Sequence, residues 1–341
     1  MSLVPGRPTS IAIAPPCVAP AMGGLDLSRR HHATHRVALR IGDPGAGAIV
    51  CQAAVAILQT IAAQDGLTLE FAPWTGSAIR EARHLNGSWD AVYAIDPPLH
   101  TGAAAADPYV SLRSIRAVPG ARWCDRPPQT AGLDSRWLLA PPAARHDDDL
   151  RDRLALFACE LADARRQRLL CVTDAHDPDG GAKAWKDTLA AAAVNVPGVL
   201  VETADVAAAA LTIRTDPHHL DVILTTTARA ALLAELCAGR FGCAGLDPLV
   251  QVDVSGWQPP IVTATAGVES EWLGAPYANP LGAIWAGALV LDCLGHHTAY
   301  ARIMSAVDRA LVGAARPFAI GGRATAADFS RAVREELQSE K

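Results

Sequence analysis

Hydrophobic and polar positions along this chain follow two periods that replace each other at short intervals. Residues 36–41 (RVALRI), 67–74 (LTLEFAPW) and 89–96 (WDAVYAID) are short apolar runs of the kind that form buried strands. The intervening residues 48–66 and 77–87 carry apolar side chains at helical spacing and predict helices. Strands that alternate with helices in this way are typical of an α/β fold with a central sheet.

The same alternation resumes after residue 146 and continues through the middle of the chain. Acidic residues open the first helix of this block and arginines close it, as the helix dipole favours. The predicted strands are 168–174, 199–205 and 220–226, and the predicted helices are 147–167, 181–198, 206–217, 228–242, 279–295 and 296–314. A last helix is predicted within 319–339, where TAAD is its capping sequence.

The turn between the first strand and the first helix, IGDPGAGA, matches a phosphate-binding loop in spacing only. The interval from Gly42 to Gly47 is that of a P-loop, but Ala48 and Ile49 stand where lysine and a hydroxyl residue would bind phosphate and magnesium. A dinucleotide-binding loop is also disfavoured, because Val50 replaces its third glycine. We therefore predict that these glycines serve turn geometry, with a left-handed residue in the turn.

Composition indicates a globular protein and narrows its partners. Half of the 341 residues are hydrophobic, and the formal charge is −5 with no run of lysine or arginine. The negative charge and the absence of a basic run argue against nucleic acid or an anionic membrane as the main partner. A small molecule or a protein is the expected partner instead. Residues 1–35, rich in proline and small side chains, are predicted to be a disordered extension. Prolines interrupt its apolar stretch, so we expect no signal peptide and a cytoplasmic protein.

Cysteine and tryptophan positions predict core packing. The eight cysteines lie mostly within apolar segments and show no C-x-x-C spacing, so we expect reduced thiols rather than disulfides or a zinc site. Trp185, Trp272 and Trp285 occupy helix or loop positions where packing is the default interpretation.

One polar cluster follows a predicted strand at the end where α/β proteins usually bind ligands. Asp174, His176 and Asp177 come at the end of strand 168–174, within TDAHDPDGG. A histidine flanked by carboxylates can act as a general base or bind a metal, but this order of Asp, Pro and Gly also forms solvated turns. The adjacent histidine pairs lack the i, i+4 spacing of two ligands on one helix face, so we expect exposed loop or helix-end histidines rather than ligands. These pairs are 31–32, 218–219 and 296–297.

Six segments have counterparts, in the same order, in one enzyme family. They are RIGDPGAG, DPYVSLRSIRAVPG, RLALFACELADARRQRLLCVTDAH, LDVILTTTARAALLAELCAG, APYANPLGAIWAGALVLDCLG and IGGRATAADF. In these segments the chain resembles the decarboxylating dehydrogenases that include isopropylmalate and isocitrate dehydrogenase. The resemblance implies an α/β fold of the isopropylmalate dehydrogenase type, with two domains and central mixed sheets flanked by helices.

The resemblance also implies the domain organisation and the assembly. Residues 36–104 and 255–341 form a larger, nucleotide-side domain, and residues 105–254 form a middle domain that carries the dimer interface. The ligand site lies in the cleft between them. Residues 228–239 are apolar enough to keep such an interface, so we expect a homodimer. Assembly with a catalytic paralogue is the alternative.

The resemblance further implies a chemistry. In that family three aspartates hold Mg²⁺ or Mn²⁺, three arginines hold the substrate carboxylates, a lysine–tyrosine pair moves protons, and NAD or NADP is the cofactor. The metal stabilises the enolate left by decarboxylation and needs oxygen ligands. The guanidinium group of an arginine binds a carboxylate through two parallel hydrogen bonds.

This chain departs from that pattern at most of the corresponding positions. Asp174 stands in place of the lysine, and the charge is thereby reversed. Ala207 and Ala231 stand in place of two metal aspartates. Glu235 replaces the third, and it is the one possible remnant of the metal site.

A few positions keep the residue types of the family. Of the three arginines only Arg113 remains, and it could equally pair with Asp107 or a backbone carbonyl. On the nucleotide side, Asn279 stands where the asparagine of the family faces adenine, and Gly321 and Gly322 keep the closing glycine pair. These three residues are the predicted cofactor contacts.

Two hypotheses follow. Losing one general base or electrostatic donor costs about 10² to 10⁴ in rate, so several losses together should abolish the family reaction. We therefore favour a divergent member without metal-dependent oxidative decarboxylation, which binds a small anionic ligand or serves regulation or assembly. The alternative is an NAD(P)-dependent oxidoreductase acting on a 2-hydroxy acid, with Arg113, Asp174, His176 and Glu235 in new roles.

Overall fold

The computed structural model describes residues 33–42, 44–74, 89–96, 109–119, 134–140, 148–173, 181–254, 258–265 and 274–339. The strands are β1 (Thr34–Ile41), β2 (Thr68–Pro73), β3 (Ala91–Asp96), β4 (Tyr109–Arg116), β5 (Asp134–Ala140), β6 (Arg168–Val172), β7 (Leu200–Ala204), β8 (Val222–Thr226), β9 (Leu249–Asp253) and β10 (Ile261–Thr265). The helices are α1 (Ala46–Asp65), α2 (Asp148–Asp163), α3 (Gly181–Val194), α4 (Val206–Thr215), α5 (Thr227–Phe241), α6 (Leu281–Cys293), α7 (His297–Val312) and α8 (Ala326–Ser339). Short 3₁₀ turns lie at Pro217–His219, Ala275–Tyr277 and Phe318–Ile320.

The described strands form one mixed sheet in the order β2-β1-β3-β10-β9-β4-β5-β8-β6-β7. Two groups of parallel strands occupy its ends, with β2, β1, β3 and β10 in one and β5, β8, β6 and β7 in the other. β9 and β4 lie between these groups and pair antiparallel with their neighbours. The two groups therefore point in opposite directions. The predicted α/β class, with a mixed sheet flanked by helices, is confirmed.

The predicted division into two domains coincides with a division of the strand order. β1, β2, β3 and β10 belong to the predicted larger domain and are contiguous at one end of the sheet. The other six strands belong to the predicted middle domain and are contiguous at the other end. β9 and β10 hydrogen-bond to each other, so the sheet continues across the boundary. The two-domain organisation itself stays a prediction.

Two apolar helices form much of the core beside the first group of strands. All 13 residues of α6 are buried, and α6 packs against α1 and α7. Among the described residues one helix, α1, is long and apolar enough to cross a membrane, with a mean hydropathy of 1.8. Just over half of that stretch, 56%, is buried in the fold, and α1 also packs against α8. These contacts are those of a core helix.

Helix ends test two of the sequence predictions. The TAAD cap is confirmed, because Thr325 Oγ1 accepts a hydrogen bond from the Asp328 backbone N–H at 3.2 Å and donates to the Asp328 carboxylate at 2.7 Å. The left-handed turn before α1 is wrong for Gly45, the residue that caps this helix, since its φ is −84°. A negative φ does not require glycine.

The predicted core positions are confirmed wherever the structure describes them. Six cysteines are buried and unbridged, namely Cys51, Cys159, Cys171, Cys237, Cys243 and Cys293. Trp185 and Trp285 are buried as well. Cys17, Cys124, Trp272 and the predicted extension up to residue 32 lie outside the described residues.

Gly322 is required by a close backbone approach, and replacing it with alanine should destabilise the fold. A β-carbon at this position would lie 1.9 Å from the carbonyl oxygen of Arg316. We expect Gly322→Ala to lower the free energy of unfolding by about 1 to 3 kcal/mol, measured by urea denaturation. Gly239→Ala is the matched control: Gly239 lies within α5 with no atom near its added carbon, so this change should stabilise by up to about 1 kcal/mol. Equal effects of the two changes would contradict this interpretation.

Candidate functional site

Arg113 lies on a central strand of the sheet, with its side chain 8% exposed. β4 pairs with β5 on one side and β9 on the other, which places Arg113 opposite Trp137 and Leu249. The sequence VSLRSIR places polar residues on both faces of the strand, since Ser111 and Arg113 share one face and Ser114 and Arg116 share the other. All four residues are buried, so neither face of this strand is solvated. A buried guanidinium needs charged or hydrogen-bonding partners.

Two carboxylates supply those partners. Nε of Arg113 donates to Oδ2 of Asp247 at 2.7 Å, and Nη2 donates to the same oxygen. Nη1 lies 2.9 Å from Oε1 of Glu235 on α5. The side chain of Asp247, in the turn before β9, is 1% exposed, whereas that of Glu235 is 45% exposed. We call these three residues the Arg113 cluster; it opens to solvent on the Glu235 side.

In the cluster Arg113 is paired, as one of the two sequence interpretations held, and its described partners are two carboxylates that the sequence did not suggest. The sequence interpretation offered Asp107 or a backbone carbonyl, whereas the described partners are Asp247 and Glu235. Asp107 lies outside the described residues. Two carboxylates facing one guanidinium leave one negative charge when both are ionised. Such a cluster attracts cations and hydrogen-bond donors, and it is poorly suited to bind a carboxylate.

Burial controls the ionisation of Asp247. Burial raises the pKa of this carboxyl from 3.8 to about 6, Arg113 opposes the rise, and Glu235 adds to it. For Arg113 burial lowers the pKa, but the two carboxylates outweigh burial and the net shift is upward. Oδ1 of Asp247 has no hydrogen-bond partner among the described residues. Each ionised Asp247 therefore keeps one buried oxygen without a donor.

Stability should therefore depend on pH through Asp247. Its folded pKa of about 6 exceeds the ordinary value of 3.8, so the folded state holds the proton more tightly than the unfolded state. The stabilisation by this group is fully present below about pH 4 and is lost as the pH rises through about 6, a change of about 2 to 3 kcal/mol. We expect the stability of the wild type relative to Asp247→Asn to fall over this range in urea denaturation. A difference independent of pH would contradict this assignment.

The start of α6 lies beside the cluster and carries Asn279. A β-carbon on Gly282 would lie 3.0 Å from the carbonyl oxygen of Leu246, the residue before Asp247. Asn279 is 1% exposed, and its Oδ1 accepts a hydrogen bond from the N–H of Leu281 at 3.1 Å. Its Nδ2 is buried without a partner among the described residues. The amide oxygen therefore satisfies the first N–H of α6, and the amide nitrogen is a buried donor without a partner among the described residues.

Gly321 and Gly322 are explained by local geometry. Gly321 ends the 3₁₀ turn Phe318–Ile320 with a φ of 84°, where glycine is favoured. Gly322 leaves no room for a side chain beside Arg316. Both glycines are thus explained by the turn itself. Their role in cofactor binding stays a prediction.

The described residues do not fit the metal site of the resembled family. Glu235 contacts Arg113, and Ala207 and Ala231 have no side-chain oxygen to offer a cation. Within the part of the chain that the structure describes, no group of three or more His, Cys, Asp and Glu side chains could hold a metal ion. Because the guanidinium of Arg113 already contacts Glu235, a cation would have to displace this contact to bind the carboxylate.

A small pocket lies where β6 and β8 end and α3 and α5 begin. Thr173, Gly181, Thr226 and Arg229 line it together with buried residues of the two strands. Arg229 Nη1 donates to Thr226 Oγ1 at 3.3 Å. Asp174 and His176, the predicted catalytic residues, lie outside the described residues, in the segment between Thr173 and Gly181. This pocket combines hydroxyl groups, a guanidinium group and the N-termini of two helices, and such a combination favours the binding of an anion.

The histidine pairs behave differently from one another. His219 fits the prediction of exposure, since its side chain is 42% exposed. The pair at 296–297 lies at the start of α7, which agrees with the prediction of helix-end histidines, but both residues are only partly exposed. His296 Nε2 lies 2.8 Å from Nε2 of the buried His35, and His297 Nδ1 lies 2.7 Å from the buried carboxylate of Asp292. The pair at 31–32 lies outside the described residues.

Sequence reasoning missed Asp247, which decides the state of Arg113. Its only local signal is an acidic residue inside the apolar stretch AGLDPLVQV, directly before a proline. An Asp–Pro pair is also a common turn sequence, so the pattern alone does not distinguish a buried partner from a solvated turn.

Comparison with known proteins relates this chain to one family of dehydrogenases. A family model described as isocitrate/isopropylmalate dehydrogenase matches residues 144–333. The probable tartrate dehydrogenase/decarboxylase of Agrobacterium vitis is 30% identical over 182 residues, which are 53% of this chain and 51% of that protein. The 3-isopropylmalate dehydrogenase of Nocardia farcinica is 31% identical over 179 residues, 52% of this chain and 53% of that protein. The chain thus spans about half the length of the curated relatives it matches.

A solved structure shows the same fold. Isocitrate dehydrogenase from Methylococcus capsulatus aligns with a TM-score of 0.70 and 18% identity, over 89% of this chain and 99% of that chain. At this identity the likeness concerns the fold alone. The family model, however, matches more than half of the sequence. The protein therefore belongs to the isocitrate/isopropylmalate dehydrogenase family.

Proposed function

We propose that this protein is a member of the family that binds a small anionic ligand without metal-dependent oxidative decarboxylation. The carrying observation is the Arg113 cluster. Arg113 is the one arginine retained from the substrate-binding set of the resembled family, and Glu235 is the one carboxylate at a metal position. The two side chains contact each other, and Asp247 accepts hydrogen bonds from two further nitrogens of the guanidinium. Substrate carboxylate and metal would each have to displace a contact that is already made.

We place the anionic group of the ligand instead at the mouth of the pocket between β6 and β8, since its enclosed volume of about 10 Å³ holds at most one water molecule. Thr173, Thr226 and Arg229 offer hydrogen-bond donors there, and the starts of α3 and α5 add the positive ends of two helix dipoles. Arg229 lies on the same helix as Glu235 and nearer its start, so the positive pocket and the negative Arg113 cluster are separated along α5. This separation allows the cleft to orient a small charged ligand.

A second candidate function is supported by Asn279. Its buried Nδ2 has no partner among the described residues, and it stands where the asparagine of the resembled family faces adenine. A nucleotide that accepted this hydrogen bond would support an NAD(P)-dependent oxidoreductase, as the names of the matched relatives also favour.

Calorimetric titration separates the two functions. We use L-malate as the anion probe and titrate NAD and NADP separately, each with and without Mn²⁺. The proposal expects saturable heat from malate that is independent of Mn²⁺ and weakened at least about tenfold in Arg229→Gln. Arg214→Gln, at the end of α4, is the matched control. Absence of malate binding, or malate binding that requires Mn²⁺, would overturn the proposal, and saturable nucleotide binding would favour the oxidoreductase.

The homodimer expected from the resemblance has a matching surface, which we include in the proposal. Leu232 and Leu236, one turn apart on α5, are 59% and 48% exposed, and Leu211 on the adjoining α4 is 61% exposed. Exposed apolar side chains on two neighbouring helices are typical of an interface between copies.

Disrupting that surface should dissociate the dimer. We expect Leu232→Glu combined with Leu236→Glu to give monomers by sedimentation velocity, because two charges would face their own symmetry mates. Val194→Glu is the control, since Val194 is 79% exposed at the end of α3. A monomeric wild type, or a double variant that remains dimeric, would show that this surface is not the interface.

A further inference from the structure

A second cavity lies at the edge of the sheet, outside the cleft. It lies against β6 and β7 and is bounded by α4 and the 3₁₀ turn Pro217–His219. Its volume is about 200 Å³, whereas a site for one water molecule needs only about 10 to 15 Å³, so the cavity has room for a small organic molecule. Arg168, Leu170, Glu202 and His219 are among its lining residues.

Strand register places the charged residues on one face. Leu170 pairs with Glu202 in the parallel β6–β7 ladder, and Arg168 precedes Leu170 by two residues. Alternate residues of a strand share a face, so Arg168, Leu170 and Glu202 point to the same side. A guanidinium and a carboxylate thus flank a leucine along one wall of the cavity.

His219 bridges the two charges. Nη1 of Arg168 lies 3.1 Å from Nδ1 and 3.2 Å from Nε2 of His219, and Nε2 of His219 lies 3.0 Å from Oε2 of Glu202. Arginine can only donate and an ionised carboxylate can only accept, so a neutral ring with its proton on Nε2 satisfies both neighbours. The bridge leaves Nε and Nη2 of Arg168 and Oε1 of Glu202 without partners among the described residues.

The remaining charge in the cavity is already neutralised. The Asp221 carboxylate accepts from Arg165 Nη2 at 2.8 Å and from the backbone N–H of Arg166 at 3.0 Å. Both side chains of the Arg165–Asp221 pair are at most 1% exposed. The cavity therefore presents one open guanidinium and one open carboxylate. A simple anion would face Glu202, and a simple cation would face Arg168.

We propose that this cavity binds an apolar α-amino acid as its zwitterion. The ligand carboxylate bonds the open donors of Arg168, the ammonium group bonds Glu202, and the hydrocarbon side chain packs on Leu170, Ala204 and Leu220. In an apolar α-amino acid, one carbon bears the ammonium group, the carboxylate and the hydrocarbon side chain. These three groups match the carboxylate, the guanidinium and the apolar residues that line the cavity. The site lies apart from the Arg113 cluster, so the inference does not depend on the proposed function.

Calorimetric titration of the full chain with L-leucine tests this site. L-leucinamide lacks the carboxylate, and N-acetyl-L-leucine lacks the ammonium group. We expect saturable heat from L-leucine at a millimolar Kd or below, and at least about tenfold weaker binding of both analogues. Absence of saturable heat from L-leucine would overturn the proposal. Equal binding of N-acetyl-L-leucine would do so too, because it would indicate a simple anion site.

Variants locate the binding in this cavity. Arg168→Gln and Glu202→Gln should each weaken L-leucine binding at least about tenfold, with circular dichroism as the check on folding. Lys183→Gln is the matched control, because the Lys183 side chain is 82% exposed on α3 and pairs with Asp187. Unchanged affinity in both cavity variants would place the ligand elsewhere and overturn the assignment.

Discussion

Asp221→Ala should lower the free energy of unfolding by about 3 to 5 kcal/mol. The Asp221 carboxylate accepts two hydrogen bonds from Arg165, at 2.8 and 3.0 Å, and one from the backbone of Arg166. Both side chains of the ion pair are at most 1% exposed. Removing the carboxylate leaves a buried guanidinium, which cannot relieve the cost by losing its proton. Loss of the carboxylate from this buried ion pair is therefore expected to be costly.

Urea denaturation of the purified chain measures this effect. The matched control is Asp187→Ala, because Asp187 is 62% exposed and pairs with Lys183 on the surface of α3. We expect the control to change stability by less than about 0.5 kcal/mol, as exposed pairs contribute little. Comparable losses in the two variants would show that burial of the Arg165–Asp221 pair does not set its energetic weight.

Arg113→Leu should cost about 3 kcal/mol, and a second change should recover most of this loss. Without Arg113, the buried Asp247 loses both of its charged hydrogen bonds. Protonation limits the penalty, since burial already raises the pKa of this carboxyl to about 6. Arg113→Leu combined with Asp247→Leu replaces the pair with apolar side chains, which is often nearly neutral for stability.

A double-mutant cycle on these two positions separates a structural arginine from a ligand-binding one. We expect a coupling free energy of at least about 2 kcal/mol between the two substitutions in urea denaturation. A ligand-binding arginine without a fixed partner would give a stable single variant and little coupling. Additive effects of the two substitutions would therefore contradict the view that Arg113 is held by Asp247.

The outer parts of the sheet were predictable because their residues follow simple patterns. β1, β3, β6 and β8 are short apolar runs, and α1 and α5 begin and end close to their predicted limits. The central strands β4, β5, β9 and β10 were not predicted as strands. In β4 the polar residues at 111, 113, 114 and 116 are buried, and in β9 Gln251 is fully buried. Hydrophobic patterning reports solvent exposure, so it fails where polar side chains are buried.

The candidate site was predictable only in part. Arg113 and Glu235 come from the resemblance, and the structure brings them to 2.9 Å of each other. The pairing depends on β4 lying beneath α5, which no local pattern encodes. Asp247 was missed because its burial is a tertiary feature: the residue before it, Leu246, lies directly against Gly282 of α6. Tertiary contacts of this kind decide whether a carboxylate is solvated or paired.

One activity measurement tests the central claim most directly. The purified chain is incubated with NAD or NADP, Mn²⁺ and each of isocitrate, 3-isopropylmalate and tartrate, and formation of the reduced nucleotide is followed by its absorbance. An active isocitrate dehydrogenase in the same assay is the positive control. Because Arg113 and Glu235 are held against each other, we expect no Mn²⁺-dependent rate above the background without protein. A rate that requires Mn²⁺ and saturates with one of these substrates would contradict the account.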